Sequence, residues 1–296
     1  MSEWYGQHIT IIQSSLIYVL LAFSVQLALR AGVFSFAGVG FFGLGGYATA
    51  ILALRGVPGP LAVLIVTAGA VIPGYLLALL LARLRDLYLG MATIAFTLMI
   101  SVFASNGGNL TGGAVGLFSI PYWASTPVML AIFVVAAMLM RRLERGNFGR
   151  ALEALRENQD LALSMGVDVL KQRKFIFTLG TVLGALSGAL YALTLTAIDP
   201  ETASFRLVVS TLTMVILGGV GTWIGPVAGA LIVVWLPVYL GPLEKWADAI
   251  YGLIVVVIAM YAPDGLVTVV RRAWAALWNG KNAKSETAGL STPEKS

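Results

Sequence analysis

The chain has 296 residues, 58% of them hydrophobic and only 11% charged, less than half of the roughly 25% charged residues of an ordinary soluble domain. With a mean hydropathy of +0.88, it reads as one polytopic membrane domain over residues 1–270 rather than as two soluble domains. The net charge of +5 would suit nucleic acid only on a soluble basic face. The cations instead cluster beside apolar runs, so the expected surroundings are a lipid bilayer and no nucleic acid. Cysteine is absent and His8 is the sole histidine, which removes thiolate and histidine metal sites, cysteine nucleophiles and Ser-His-Asp catalysis.

Met1 to His8 contains Glu3 but no Lys or Arg, unlike the basic start of a signal peptide, so the first apolar run is expected to be retained. A helix needs about 20 residues to cross about 30 Å of hydrocarbon. On that measure spans fall at 9–29, 33–54, 61–82, 87–105, 125–140, 175–198, 207–221, 223–240 and 249–266. The expected fold is therefore all-α, with eight or nine transmembrane helices. The fifth and seventh runs are short and residues 32–46 are rich in glycine, which points to tilted, half-length or re-entrant pieces.

Fifteen of the nineteen Lys and Arg residues fall in three places: Arg83 and Arg85, the segment from Arg141 to Lys174, and the tail from Arg271 to Lys295. Cytoplasmic loops carry such an excess. An even number of spans separates the three regions, so one side is expected for all of them. The N-terminus then faces outward, Arg30 marks the inner end of the first span, and residues 271–296 form a polar, disordered cytoplasmic tail.

No apolar run contains Asp, Glu, Lys or His in its interior. Ion-driven transporters usually retain such a group for the coupling ion. A Walker A pattern is absent as well, so any pumping draws its energy from another polypeptide. Residues 147–166, NFGRALEALRENQDLALSMG, place Phe148, Leu152 and Leu155 on one helical face, with Arg150, Glu153, Arg156, Glu157 and Asp160 elsewhere. Gly166 suits a helix C-terminus. Periodicity alone leaves two readings open, a helix lying on the bilayer surface and a helix docked in a partner's groove.

Eight fragments in order carry a more specific signal. They are FFGLGGY at Phe41 to Tyr47, LYLGMATIAF at Leu87 to Phe96, TGGAVGL at Thr111 to Leu117 and FGRALEALREN at Phe148 to Asn158. GALSGALYA at Gly184 to Ala192, DPETASF at Asp199 to Phe205, LGGVGTWIGPVAGA at Leu217 to Ala230 and YGLIVVVIAMYAPDGL at Tyr251 to Leu266 follow. In these the chain, over roughly residues 10–270, resembles the LivM-type permease subunits of the branched-chain amino-acid family of ATP-binding-cassette importers. Asp160-Leu161-Ala162 followed by Gly166 keeps the spacing, and one of the two alanines, of the general importer loop.

The resemblance implies a bacterial inner-membrane permease subunit with no cofactor or metal of its own. It also implies a second permease chain, two cytoplasmic ATPase subunits that bind ATP and Mg, and an external solute-binding protein. The 141–174 segment would couple to the ATPases, with Leu155, Glu157, Asp160, Leu161 and Gly166 as contacts. Many relatives carry Gly-His at Ala37-Gly38, a polar or acidic residue near Ala114-Val115, Glu near Ser210 and Arg at Ala262. Each departure removes polarity, so urea, short amides and aromatic compounds stand as alternative solutes beside branched-chain amino acids.

Two stripes invite assignments. Gly180, Gly184 and Gly188 recur every fourth residue, as do Gly221, Gly225 and Gly229, and are expected to let helices pack closely. Thr93, Thr97, Ser101 and Ser105 also recur every fourth residue. They either bond back to their own helix or line the solute path, with Ser210 and Thr213 as companions. Asn106 to Asn109, Thr111 to Gly113, Asp199-Pro200-Glu201 and Arg206 are placed in external loops. Ser187 has no base to activate it, so no intramembrane hydrolase is expected. A passive channel or secondary transporter is the reading from another class, which a docking helix at 147–166 would disfavour.

Overall fold

The computed structural model describes residues 2–84, 86–157, 159–164 and 166–240, together with Gly252, Val256, Met260 and residues 265–268. Among these the chain is helical, and its β-type pairing is limited to an isolated bridge between Leu117 and Ile198. Six stretches are long and apolar enough to cross a bilayer. They are α1 (Ser2–Arg30), α2 (Ala37–Leu54), α3 (Gly59–Gly69) with α4 (Val71–Leu80), α5 (Asp86–Asn106), α6 (Thr126–Glu144) and α9 (Val169–Leu195). The amphipathic α7 (Gly146–Glu157) and the short α8 (Gln159–Ser164) precede α9, and α10 (Phe205–Gly218) and α11 (Ile224–Leu240) follow it. The expected ninth span at 249–266 and the tail 271–296 lie outside the described residues, apart from Gly252, Val256, Met260, Gly265 and Leu266.

Local chemistry sets several boundaries. The third span breaks at Ala70 because Pro73 has no N–H for the Gly69 carbonyl and its ring crowds that oxygen. The fifth span is not short, since α6 continues to Glu144. Arg141 and Arg142 suit the negative end of its dipole, and Glu144 finds an ionic partner in Arg30. Ahead of α9, Asp168 accepts a hydrogen bond from the Lys171 backbone N–H at 3.0 Å. This N-cap starts the helix at Val169, earlier than the expected residue 175.

Helices α1, α2 and α9 form the inner layer, with 72% of each apolar window buried, against 28% for α3–α4 and α5 and 22% for α6. The outer helices turn Leu64, Ile72, Leu80, Met91 and Val135 outward, where lipid solvates them. Lipid supplies no hydrophobic drive between helices, so the inner layer depends on close approach. A side chain at Gly184 would collide with the Gly38 backbone, and one at Gly188 with the Phe42 carbonyl, while Gly180 faces the Ser24 carbonyl.

The two ends of the bundle differ. At one, Arg30 pairs with Glu144, Arg173 donates to the Leu84 carbonyl at 3.5 Å, and Gly32 lies against the backbone of Leu155 and Arg156. Arg30, the turn after Arg83 and the 141–174 segment, assigned to one side by their charge, therefore meet. At the other end Leu117 and Ile198 exchange backbone hydrogen bonds of 2.8 and 2.9 Å, and Gln13 donates to the Tyr122 hydroxyl at 2.9 Å.

Candidate functional site

After α9 the chain makes a 3₁₀ turn, Pro200–Ala203, that packs against α2 and α5. The Asp199 carboxylate accepts from the Thr202 N–H at 2.9 Å, and Ser101 of α5 donates to the Pro200 carbonyl at 2.8 Å. Ala203 packs onto Gly43, where any side chain would collide with it. Gly43 lies eleven residues before the end of α2, or about 16 Å of helix rise. Asp199, Glu201 and Arg206, expected in an external loop, are all exposed, while the backbone of the turn between them packs on α2 at Gly43 and on α5 at Ser101.

Helix α10 then runs for 14 residues, about 21 Å, reverses through residues 219–223 and returns as α11. The hairpin is tight because Gly218 faces the Gly225 carbonyl and Gly229 faces the Met214 carbonyl, leaving no room for a Cβ at either. Its turn is tethered to the inner layer, with Gln26 donating to the Val220 and Thr222 carbonyls at 3.1 and 2.7 Å. Glu144, already paired with Arg30, also lies beside the Trp223 backbone of this turn.

Between the hairpin, the 3₁₀ turn and the inner helices lies a cavity of about 440 Å³. Its polar lining comprises Asp199, Glu201, Thr202, Ser204, Arg206 and Ser210, with Tyr18 and Tyr191 beside them. The Asp199 carboxylate is within electrostatic reach of both tyrosine hydroxyls. Phe42, Leu207, Met214, Val233 and Val234 supply apolar surface, and Phe42 meets Tyr191 edge-on with centroids 5.2 Å apart. The cavity thus offers both signs of charge and an apolar wall to one small solute.

Of the hydroxyl residues proposed for the path, Ser210 lines this cavity. Ser101 lies behind it, bonded to the turn. Thr93 and Thr97 are fully buried: Thr93 donates to the Leu89 and Gly90 carbonyls and accepts from the Phe36 N–H at 3.0 Å, and Thr97 donates to the Thr93 carbonyl. Thr213 donates to the Val209 carbonyl at 2.9 Å. Thr111 donates to the Ala104 carbonyl at 2.7 Å, closing the turn after α5, and the Ser187 hydroxyl donates to Gly184 of its own helix.

The amphipathic segment folds back onto its own chain. Leu152 and Leu155 are 2% and 1% exposed, Gly149 lies against the Glu144 carbonyl, and Phe148 meets Phe175 edge-on at 5.7 Å. Both open readings of this segment gave its apolar face to an outside surface, whereas that face holds α7 to α1 and α6 and leaves Arg150, Glu153, Arg156 and Glu157 exposed. Asp160 and Leu161 fall in α8. Gly166 ends this helix at φ +80° in a Schellman motif, its N–H donating to the Leu163 carbonyl and that of Val167 to Ala162, both at 3.0 Å.

A bundle of membrane-length apolar helices with a mixed-charge cavity fits a transport protein, and the comparisons say which kind. Residues 8–259 match the family described as branched-chain amino acid transport system permease component, and the chain belongs to that family. The high-affinity branched-chain amino acid transport system permease protein LivM of Salmonella typhimurium is 25% identical over 87% of this chain and 69% of its own length. Its Escherichia coli namesake is 24% identical with the same coverage. The probable branched-chain amino acid transport permease protein LivM of Methanocaldococcus jannaschii is 27% identical over 70% of this chain and 67% of its own. No solved structure matches.

Proposed function

We propose that this chain is a membrane subunit of an ATP-driven amino-acid importer and that the cavity beside the α10–α11 hairpin is part of the solute path. The carrying observation is the lining: an α-amino acid presents a carboxylate, an ammonium and a side chain, and the cavity holds a partner for each. Arg206 suits the carboxylate through its planar fork, and Asp199 and Glu201 suit the ammonium. Phe42, Leu207, Met214, Val233 and Val234 suit an aliphatic side chain such as those of leucine, isoleucine and valine, in line with the relatives' names. Ser101 is placed to hold the turn that carries the carboxylates.

In this reading ATP and Mg act on two cytoplasmic ATPase subunits, and this chain carries no cofactor. A second permease chain completes the path and an external binding protein delivers the solute. The assembly sits in the inner membrane, with this chain's N-terminus outside and its C-terminus in the cytoplasm. The ATPases meet the exposed side of α7 through Glu153, Arg156 and Glu157 and the α8 segment that carries Asp160 and Leu161, while Leu155 and Gly166 set the shape of that element. Movement of α7 reaches the cavity through Glu144, which joins the base of α7 to Arg30 and the hairpin turn, so the hairpin tilts as the path changes access.

The test is uptake of labelled leucine by the assembled transporter carrying Arg206→Gln or Glu201→Gln. Each change removes a charge-assisted contact, and about a 10- to 100-fold loss of uptake is expected, with membrane insertion unchanged. Unchanged uptake in both variants, or equal uptake of a neutral amide by the unaltered protein, would overturn the amino-acid assignment.

A further inference from the structure

A second hollow, about 850 Å³ in volume, lies where α6 gives way to α7. Arg141, Arg142 and Arg145 stand on its rim, all exposed. Beneath them the lining is apolar, from Met138, Leu143, Phe148 and Phe175, and the two phenylalanines meet edge-on at 5.7 Å. Met138 is 65% exposed, so this floor continues into the outward face of a membrane-spanning helix. The described lining contains no carboxylate, and the nearest acid on α6, Glu144, is engaged by Arg30. Arg150, tied to Asn147 of the lining at 2.5 Å, adds a fourth cation nearby.

A helix dipole and the charge bias of membrane loops account for cations at this end of α6. They do not account for a concave aromatic floor beneath three of them. Guanidinium forks above a floor open to hydrocarbon fit a molecule that carries phosphate and acyl chain together, because each guanidinium can bond two phosphate oxygens while the chain covers the phenylalanines. We propose that this groove binds one anionic phospholipid, with its phosphate among Arg141, Arg142 and Arg145 and an acyl chain along Met138, Phe148 and Phe175. A lipid held there braces the joint between the α6 span and α7, whatever solute the protein carries.

The test uses the full chain in discs of one part phosphatidylglycerol to three of phosphatidylcholine. Lipid retained after gentle extraction is identified by mass spectrometry. The ratio of phosphatidylglycerol to phosphatidylcholine in the retained lipid is expected to be about tenfold that of the disc, given the attraction of each arginine to an anionic headgroup at the membrane surface. The triple variant Arg141→Gln, Arg142→Gln, Arg145→Gln should lose that enrichment. A control with the same charge change outside the groove, Arg83→Gln, Arg156→Gln, Lys171→Gln, should keep it, and Phe175→Ala should weaken it. Soluble glycerol phosphate should not displace the lipid. No enrichment in the unaltered chain, equal loss in both triple variants, or displacement by glycerol phosphate would each overturn the assignment, the last two by reducing it to surface attraction or to a headgroup site.

Discussion

Gly184 is a position where α9 passes close to α2, and the Gly38 carbonyl occupies the space a side chain would need. Backbone cannot swing aside as a side-chain terminus can, so Gly184→Leu must separate the two innermost helices. The expected cost is at least the 1–3 kcal/mol or so typical of overpacking, read as a lower melting temperature and loss of monodisperse protein in mild detergent. Normal assembly with altered solute choice would instead make this glycine part of the path. Glu144 poses the opposite problem, a charge that must keep its partner. Arg30 and Glu144 are only 17% and 16% exposed, so Glu144→Leu strands a nearly buried guanidinium and should cost about 2 kcal/mol, with most of it recovered in the Arg30→Met, Glu144→Leu double variant. Thermal unfolding of the unaltered protein, the single variant and the double variant checks both steps.

At the scale of elements, α7 and α8 combine a fixed face with a free one. Leu152 and Leu155 anchor α7, and the Gly166 turn sets where the chain leaves α8 for α9. Nothing crowds Gly166, so the constraint there is its φ of +80°, which a side chain opposes by about 1–2 kcal/mol. Gly166→Leu is therefore expected to abolish ATP-dependent uptake while leaving membrane insertion intact. Undiminished uptake would detach this turn from coupling. The α10–α11 hairpin is the complementary element, tethered by Gln26 at its turn and bordered by the cavity.

For the molecule as a whole, the 141–174 segment and the cavity lie towards different ends of the bundle, joined through α1, α6 and the hairpin turn. On the proposed function, energy from partner subunits enters at the exposed charges of α7. Extraction from native membranes after crosslinking across α7 is expected to recover two ATPase subunits and a second permease chain, identified by mass spectrometry. The charge reversal Glu153→Lys, Glu157→Lys should reduce that recovery about tenfold, as loss of two interfacial charge contacts implies, without altering the fold. Recovery of the chain alone, even when crosslinked, would favour a channel or secondary transporter.

Sequence by itself determined the class of the fold, because composition and run length are properties of segments and lipid rejects unpaired backbone wherever the segment lies. It also carried the permease resemblance, the helix at 147–166 and the place of Gly166, all of which depend on local order. Only the tertiary structure decided which charges share one cavity. Asp199, Glu201 and Arg206 stand between two apolar runs and resemble an ordinary connection, since nothing in their local order records that Gly43 and Ser101 draw the turn inward. The shortness of the run after Arg206 was the available signal. Likewise, Thr93 and Thr97 share a helical face with Ser101, yet packing against α2 enclosed them and left the polar lining to the turn and α10. Periodicity reports which residues share a face, and only the neighbour packed on that face settles whether it meets protein, lipid or solute.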